Sequence, residues 1–336
     1  MSQRQYINQM KPSQRIEGAF TIANAQLGRT KNDKPYLRCL LSDKSAQVPA
    51  RMWSMDEAHF ERLPTDGFVY IEGETQDYQG QLQIVVHQID PIDPSPEQLA
   101  DLLPVSARNP DEMLARVEEL IASLEHDGVR ALGELFLEDE HFMREFTVAP
   151  AAKQLHHAHL HGLLEHTVSL MEAAHRLCPL YPGINRDLVV MGCFLQDIGK
   201  TRELRYDVGF AYTDLGELVG HIVEGTHMLR DKIDLLRRER GVRLPSGAAL
   251  VLEHIILSHH SLPEHGAAKV PMSPEAILVA LIDQLDAKTV IALDASGRTG
   301  KGPPSNANGH FTERNWALGA KIYRPDPLAK PDPISG

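Results

Sequence analysis

The sequence predicts two domains of different class, a small all-β barrel followed by an all-α domain. Three observations carry this. Residues 14–90 alternate apolar and polar side chains in short runs bounded by turn residues, the period of strands. From residue 110 the apolar spacing changes to that of amphipathic helices. Between them lies PIDPSPEQLADLLP, a Pro- and Asp-rich stretch at 91–104 that reads as a linker. A chain of 336 residues, 42% hydrophobic, has room and material for two cores.

Taken in order, YLRCLLSD and QVPARMW are extended runs separated by the turn-like DKSA. FVYIEGETQDYQGQLQIVVHQI alternates around YQGQ and reads as a hairpin. Five or so short strands in under 80 residues suggest a closed barrel. In PDEMLARVEELIASLEH, Met113, Leu114, Val117, Leu120 and Ile121 form one apolar stripe. Further helices are expected near 161–178, 187–197, 215–240, 246–258 and 274–293, the last opened by Ser273-Pro274-Glu275. The expected division is an arm at 1–13, the barrel at 14–92, a linker at 93–109, the helical domain at 110–296 and an extended, partly disordered tail at 297–336.

The formal net charge of -12 excludes a basic footprint over the whole protein. The first 55 residues differ, with nine Lys and Arg against three acids. Cys39, Cys178 and Cys193 show no paired spacing, so reduced thiols and a cytoplasmic setting are expected. No apolar leader and no membrane-length run is present in the sequence.

Twelve of the 17 histidines fall between His156 and His265, about a third of the chain, and metal binding is the physical reason that most often gathers imidazoles so. His166, Asp197, His221, His254, His259, His260 and Asp283 all lie in or at the ends of apolar helical segments. Buried acids and imidazoles are costly unless paired or metal-bound. Mixed His and Asp donors suit Mn or Fe, with Co, Ni or Zn as further candidates, rather than Ca. A carboxylate such as Asp197 can bridge two ions that together clamp a phosphodiester. Tyr36, Trp53, Tyr70 and Tyr78 are candidate stacking platforms in the first half, with Arg29, Lys31, Lys34, Arg38 and Arg51 for phosphates. Trp53 also fits a core position, and Tyr36, beside the basic loop, is the preferred base contact.

The order His166 … Gln196-Asp197 … Asp283 resembles the HD phosphohydrolase superfamily. HHAHLHGLLEHTVSL, DIGKTREL, LVGHIVEG, LSHH and LIDQLDAK are similar to the YhaM-type 3′–5′ exoribonucleases, in which an OB-fold precedes the HD domain. GRTKNDKPYLRCLLSDKSAQVPARMW and YQGQLQI resemble that OB-type barrel, and HFTERNWALGAKIYRP the family's C-terminal tail. The resemblance covers about residues 14–325 and implies an OB-type barrel followed by an HD-type helical domain. It implies metal-dependent 3′–5′ hydrolysis of single-stranded RNA, or single-stranded DNA, to nucleoside 5′-monophosphates. It makes His166, Gln196, Asp197 and Asp283 the surroundings of one divalent ion and Asp197, His221, His259 and His260 those of a second, with His254 nearby. Lys200 matches the lysine of DIGK and is expected beside a substrate phosphate, or as a cation on a helix C-terminus. Asp286, one turn beyond Asp283, is expected to support the site from behind. Gln196 departs from the family's histidine and is a poorer ligand, so one or two ions remain open, and so does full activity. The alternatives are an RNA-binding protein whose HD site Gln196 has weakened, and an HD phosphohydrolase of free nucleotides. No membrane partner is expected, and homo-oligomerisation is left open.

Overall fold

The computed structural model describes residues 4–30, 32–64, 67–78, 81–153, 157–206, 210–299 and 310–328. The first half is a closed barrel of β1 (Arg15–Arg29), β2 (Pro35–Ser42), β3 (Gln47–Trp53), β4 (Gly67–Tyr78) and β5 (Gln81–Pro91). A one-turn helix, α1 (Glu57–Phe60), joins β3 to β4. The strand order is β1-β2-β3-β5-β4, and every pairing is antiparallel except β3 with β5. A five-stranded barrel with that order is the OB architecture.

The period of two decides what each strand buries. Leu37, Cys39 and Leu41 of β2 point into the barrel, while Tyr36 and Arg38 point out. Ile16, Phe20, Ile22, Ile71, Ile84 and Ile89 complete the interior, and Ile7 and Met10 of the N-terminal arm join it.

The stretch read as a linker holds a helix, α2 (Pro96–Leu102). Ser95 and Gln98 form a reciprocal capping box, and proline occupies the first turn. The Pro and Asp content masked that start signal. Leu102 and Leu103 are buried against Ala19 and Phe68, so this segment seals the barrel's flank.

The second half is helical: α3 (Pro110–Ala122), α4 (Asp127–Leu137), α5 (Glu140–Val148), α6 (Gly162–Leu177), α7 (Arg186–Leu195) and α8 (Lys200–Glu203) come first. After the two-residue strands β6 (Leu204–Arg205) and β7 (Ala211–Tyr212) follow α9 (Asp214–Leu218), α10 (His221–Arg240), α11 (Ser246–Ser258) and α12 (Pro274–Ser296). Helices α4 and α5 were not anticipated. Their N-caps are side chains, His126 accepting from the Gly128 and Val129 amides and Asp139 from those of His141 and Phe142. The single helix expected over 215–240 is broken before His221, where Gly220 takes φ 78°. Among the described residues the tail forms two short bridges, Phe311 with Tyr323 and Asn315 with Ala320. Residues 300–309 and 329–336 of this tail, expected to be extended and partly disordered, lie outside the described residues. No helix of the described residues is long and apolar enough to cross a membrane.

Helix α7 runs through the middle of this domain, packed on α6, α11 and α12. Its Phe194 ring lies 5.5 Å from Phe146, 5.8 Å from Phe136 and 6.4 Å from Phe142. This aromatic cluster fixes the end of α7, two residues before Gln196. Phe194→Ala is expected to cost about 3–5 kcal/mol of stability, the range for emptying a buried aromatic site. Equilibrium urea unfolding checks it, and a loss under about 1 kcal/mol would show that the cluster does not anchor α7.

Candidate metal centre

The end of α7 turns directly into α8, and the turn carries Gln196 and Asp197, both almost fully buried. Gly199 makes this turn feasible. A Cβ there would stand 2.1 Å from the His221 carbonyl oxygen and 2.8 Å from the Gly225 nitrogen. Only glycine lets the α7–α8 turn lie against the start of α10, which brings Asp197 beside His221.

Two groups of donors share Asp197. In the first, one ligand atom each of His166, Asp197 and Asp283 lies within 4.8 Å of the others. His166 Nε2 is 3.1 Å from Asp283 Oδ1 and 3.4 Å from Asp197 Oδ2. Its Nδ1 is 2.8 Å from Asp286 Oδ2, which also meets His157 Nε2 at 2.9 Å. Burial opposes a charge on His166, but hydrogen bonds with Asp197, Asp283 and Asp286 outweigh it and hold its pKa well above the ordinary value. Burial likewise opposes ionisation of Asp286, yet His157 and His166 hold its carboxyl far below the usual range. Gln196 Nε2 donates to Asp283 Oδ1 at 3.2 Å and lies 3.3 Å from His166 Nε2. Lys200 Nζ donates to Asp197 Oδ2 at 3.0 Å.

In the second group, Asp197, His221, His259 and His260 each offer one atom within 4.8 Å of the rest. Asp197 Oδ1 is 3.6 Å from His221 Nε2 and 3.4 Å from His259 Nε2. The other ring nitrogen of each histidine is anchored. His221 Nδ1 meets Glu203 Oε1 at 2.8 Å, His259 Nδ1 the Ile256 carbonyl at 2.9 Å and His260 Nδ1 the His265 carbonyl at 2.9 Å. Carbonyls and carboxylates accept, so Nδ1 carries the proton and each Nε2 presents a lone pair. Burial pushes the pKa of His221 down, and burial with the neighbouring His259 and His221 takes that of His260 to about 3. Asp197 Oδ1, His221 Nε2 and His259 Nε2 are buried with no hydrogen-bond partner among the described residues. Such a set of three nitrogens and an oxygen can hold a transition-metal cation.

His254, expected near the ions, joins neither group. The Met272 amide donates to its Nε2 at 2.8 Å, so the other nitrogen carries the proton and no lone pair is left for a metal. Lys200, expected beside a substrate phosphate or as a cation on a helix C-terminus, is buried against Asp197. Glu203 and His157 were not singled out in the sequence, although the His-rich run before His166 was a usable signal for the latter.

On the barrel, Tyr36 pairs with Trp53 and Arg38 with Arg51 across β2 and β3, all on the outer face. The Tyr36 ring lies over Gly28, where a Cβ would stand 2.7 Å away, and 5.3 Å from the Trp53 ring. Arg51 sits 5.9 Å from the Trp53 ring and 5.4 Å from that of Tyr78. Trp53, which also fitted a core position, is 48% exposed. Arg38 donates to Gln26 and Lys34 stands exposed, while Arg29 is paired with Asp33 at 3.1 Å and Glu57 at 3.2 Å. Lys31 lies outside the described residues.

The fold and this cluster define a chain of the HD class. The HD domain family model matches residues 163–288. The 3′–5′ exoribonuclease YhaM of Oceanobacillus iheyensis is 31% identical over 313 residues, 93% of this chain and 94% of that one. The 3′–5′ exoribonuclease YhaM of Bacillus subtilis is 30% identical over 314 residues, 93% of this chain and 95% of that one. The chain therefore belongs to the YhaM exoribonuclease family and is a hydrolase of the nuclease type. Among solved structures, the second OB-fold domain of replication protein A from Methanococcus maripaludis is similar at 16% identity and a TM-score of 0.22, over 27% of this chain and 96% of that one. That likeness carries no functional weight.

Proposed function

We propose that the protein is a metal-dependent 3′–5′ exoribonuclease that shortens single-stranded RNA, with single-stranded DNA as a second substrate, to nucleoside 5′-monophosphates. One observation carries the metal dependence: Asp197 Oδ1, His221 Nε2 and His259 Nε2 converge, buried and without hydrogen-bond partners among the described residues. Each such atom costs about 1–3 kcal/mol unless something satisfies it. Three imidazole lone pairs and a carboxylate leave a cation as the fitting partner, and the donor mix suits Mn or Fe, then Co, Ni or Zn. When bound, the ion polarises a phosphoryl oxygen and makes water nucleophilic near neutral pH.

The chain's own residues do the rest. Glu203 and the two carbonyls hold the imidazoles in one tautomer and one orientation. Burial would discharge Lys200, but Asp197 and Asp283 keep it an ammonium, and it balances the negative charge of this pocket. The names of the relatives supply the substrate class and polarity, and their coverage of 93% of the chain supports carrying these over. The barrel face of Tyr36, Trp53, Arg51 and Tyr78, flanked by Arg38 and Lys34, suits a single strand with unstacked bases. The setting proposed is the cytoplasm, where the buried free thiols of Cys39, Cys178 and Cys193 stay reduced.

A 5′-labelled single-stranded RNA with added Mn²⁺ tests this. A ladder shortening from the 3′ end is expected. A shifted but uncut band would instead make the chain an RNA-binding protein, and nucleotide turnover without RNA decay a nucleotide phosphohydrolase. Binding should weaken with salt, with a log–log slope of about -2 if Lys34, Arg38 and Arg51 each neutralise one phosphate. A flat salt profile in filter binding would remove the phosphate contacts from the proposal.

A further inference from the structure

The two donor groups around Asp197 differ in one respect. The second presents Asp197 Oδ1, His221 Nε2 and His259 Nε2, buried and with no hydrogen-bond partner among the described residues. The first is already filled by N–H donors of the chain. Gln196 presents its amide nitrogen, not its oxygen, to Asp283 Oδ1 at 3.2 Å, and its buried Oε1 has no hydrogen-bond partner among the described residues. Lys200 Nζ occupies Asp197 Oδ2 at 3.0 Å, the oxygen that faces His166.

An ion entering between His166, Asp197 and Asp283 would have to turn the Gln196 amide and displace the Lys200 ammonium. Lys200 is buried and donates to Asp197. Displacement would strand a buried cation beside a second, divalent one, which is strongly unfavourable. An ion entering between Asp197 Oδ1, His221, His259 and His260 displaces no hydrogen bond of Asp197 Oδ1, His221 Nε2 or His259 Nε2.

We infer that this centre takes a single divalent transition ion, in the Asp197–His221–His259–His260 pocket, and that the Gln196 amide and the Lys200 ammonium fill the place where a second would sit. The inference rests on the metal-dependent reading above. It assigns the two nitrogen groups a positive role, since they satisfy carboxylates that a two-ion centre would leave to its second metal.

Metal uptake tests it without reference to turnover. The full chain is loaded with excess Mn²⁺, desalted, and read by elemental analysis and by electron paramagnetic resonance. One equivalent with the spectrum of an isolated Mn²⁺ is expected. Gln196→His combined with Lys200→Met, which removes both nitrogen groups, should take up a second equivalent and show the exchange-coupled spectrum of two ions about 3.5–4 Å apart. His260→Ala, at a half-buried position, should lose most of the metal while Asp283→Asn keeps it, with circular dichroism confirming that both are folded. Two equivalents and a coupled spectrum in the unaltered chain overturn the one-ion count and leave the metal-dependent reading standing. Metal lost in Asp283→Asn but kept in His260→Ala overturns the assignment to the Asp197–His221–His259–His260 pocket and likewise leaves that reading standing. No uptake at all by the unaltered chain overturns both.

Discussion

Asp197→Asn is expected to lower the rate of RNA decay by more than about 100-fold and to empty the metal pocket. Partners that merely orient a ligand already contribute about 10–100-fold, and Asp197 is the only donor common to both groups. The amide matches the carboxylate in shape but lacks its charge. Asp197 is held well below the usual carboxylate range: burial opposes this, but the Lys200 ammonium and the hydrogen bond from His166 prevail. The wild-type side chain is therefore a full anion, and the substitution removes the one negative charge shared by three imidazoles and a buried ammonium. Two readings are needed, the initial rate on labelled RNA at saturating Mn²⁺ and the metal content of the folded variant. A variant that keeps more than a tenth of the rate would show that Asp197 is not the residue on which the centre is built.

Trp53→Ala is expected to weaken single-stranded RNA binding by roughly tenfold, within the range of about 1–3 kcal/mol for one stacked base. Tyr36→Ala should do the same. Turnover at saturating RNA should change little, because both residues belong to the barrel rather than to the metal pocket. Trp53 is half exposed, with its ring 5.3 Å from that of Tyr36 and 5.9 Å from the Arg51 guanidinium, so its removal should leave the fold intact. Fluorescence anisotropy with a labelled oligonucleotide gives the affinity, and KM and kcat separate binding from chemistry. If both variants bind RNA within twofold of the unaltered chain, the strand runs over some other surface.

The sequence by itself determined the class of each half and their order. Alternation and helical spacing are local properties, and the runs PYLRC, QVPARM and EMLARVEELI carry them in full. It also pointed to the donor-type side chains that the fold brings together, because His166, Asp197, His221, His259, His260 and Asp283 sit in segments too apolar for unpaired polar side chains. It missed α2, where composition outweighed the Ser95–Gln98 capping box, and the break at Gly220 that sets His221 at a helix start. Only the tertiary structure decided which nitrogens are free to bind a cation. His221, His259 and His260 turn lone pairs inward because Glu203 and two carbonyls hold their other nitrogens, whereas His254 loses its lone pair to the Met272 amide. It likewise decided that Trp53 faces out over Arg51 and that Gln196 meets Asp283 through its nitrogen. Spacing fixes which face of an element a residue occupies. The state of a ring or an amide depends on hydrogen-bond partners that only packing brings into reach, such as Asp283, 87 residues from Gln196.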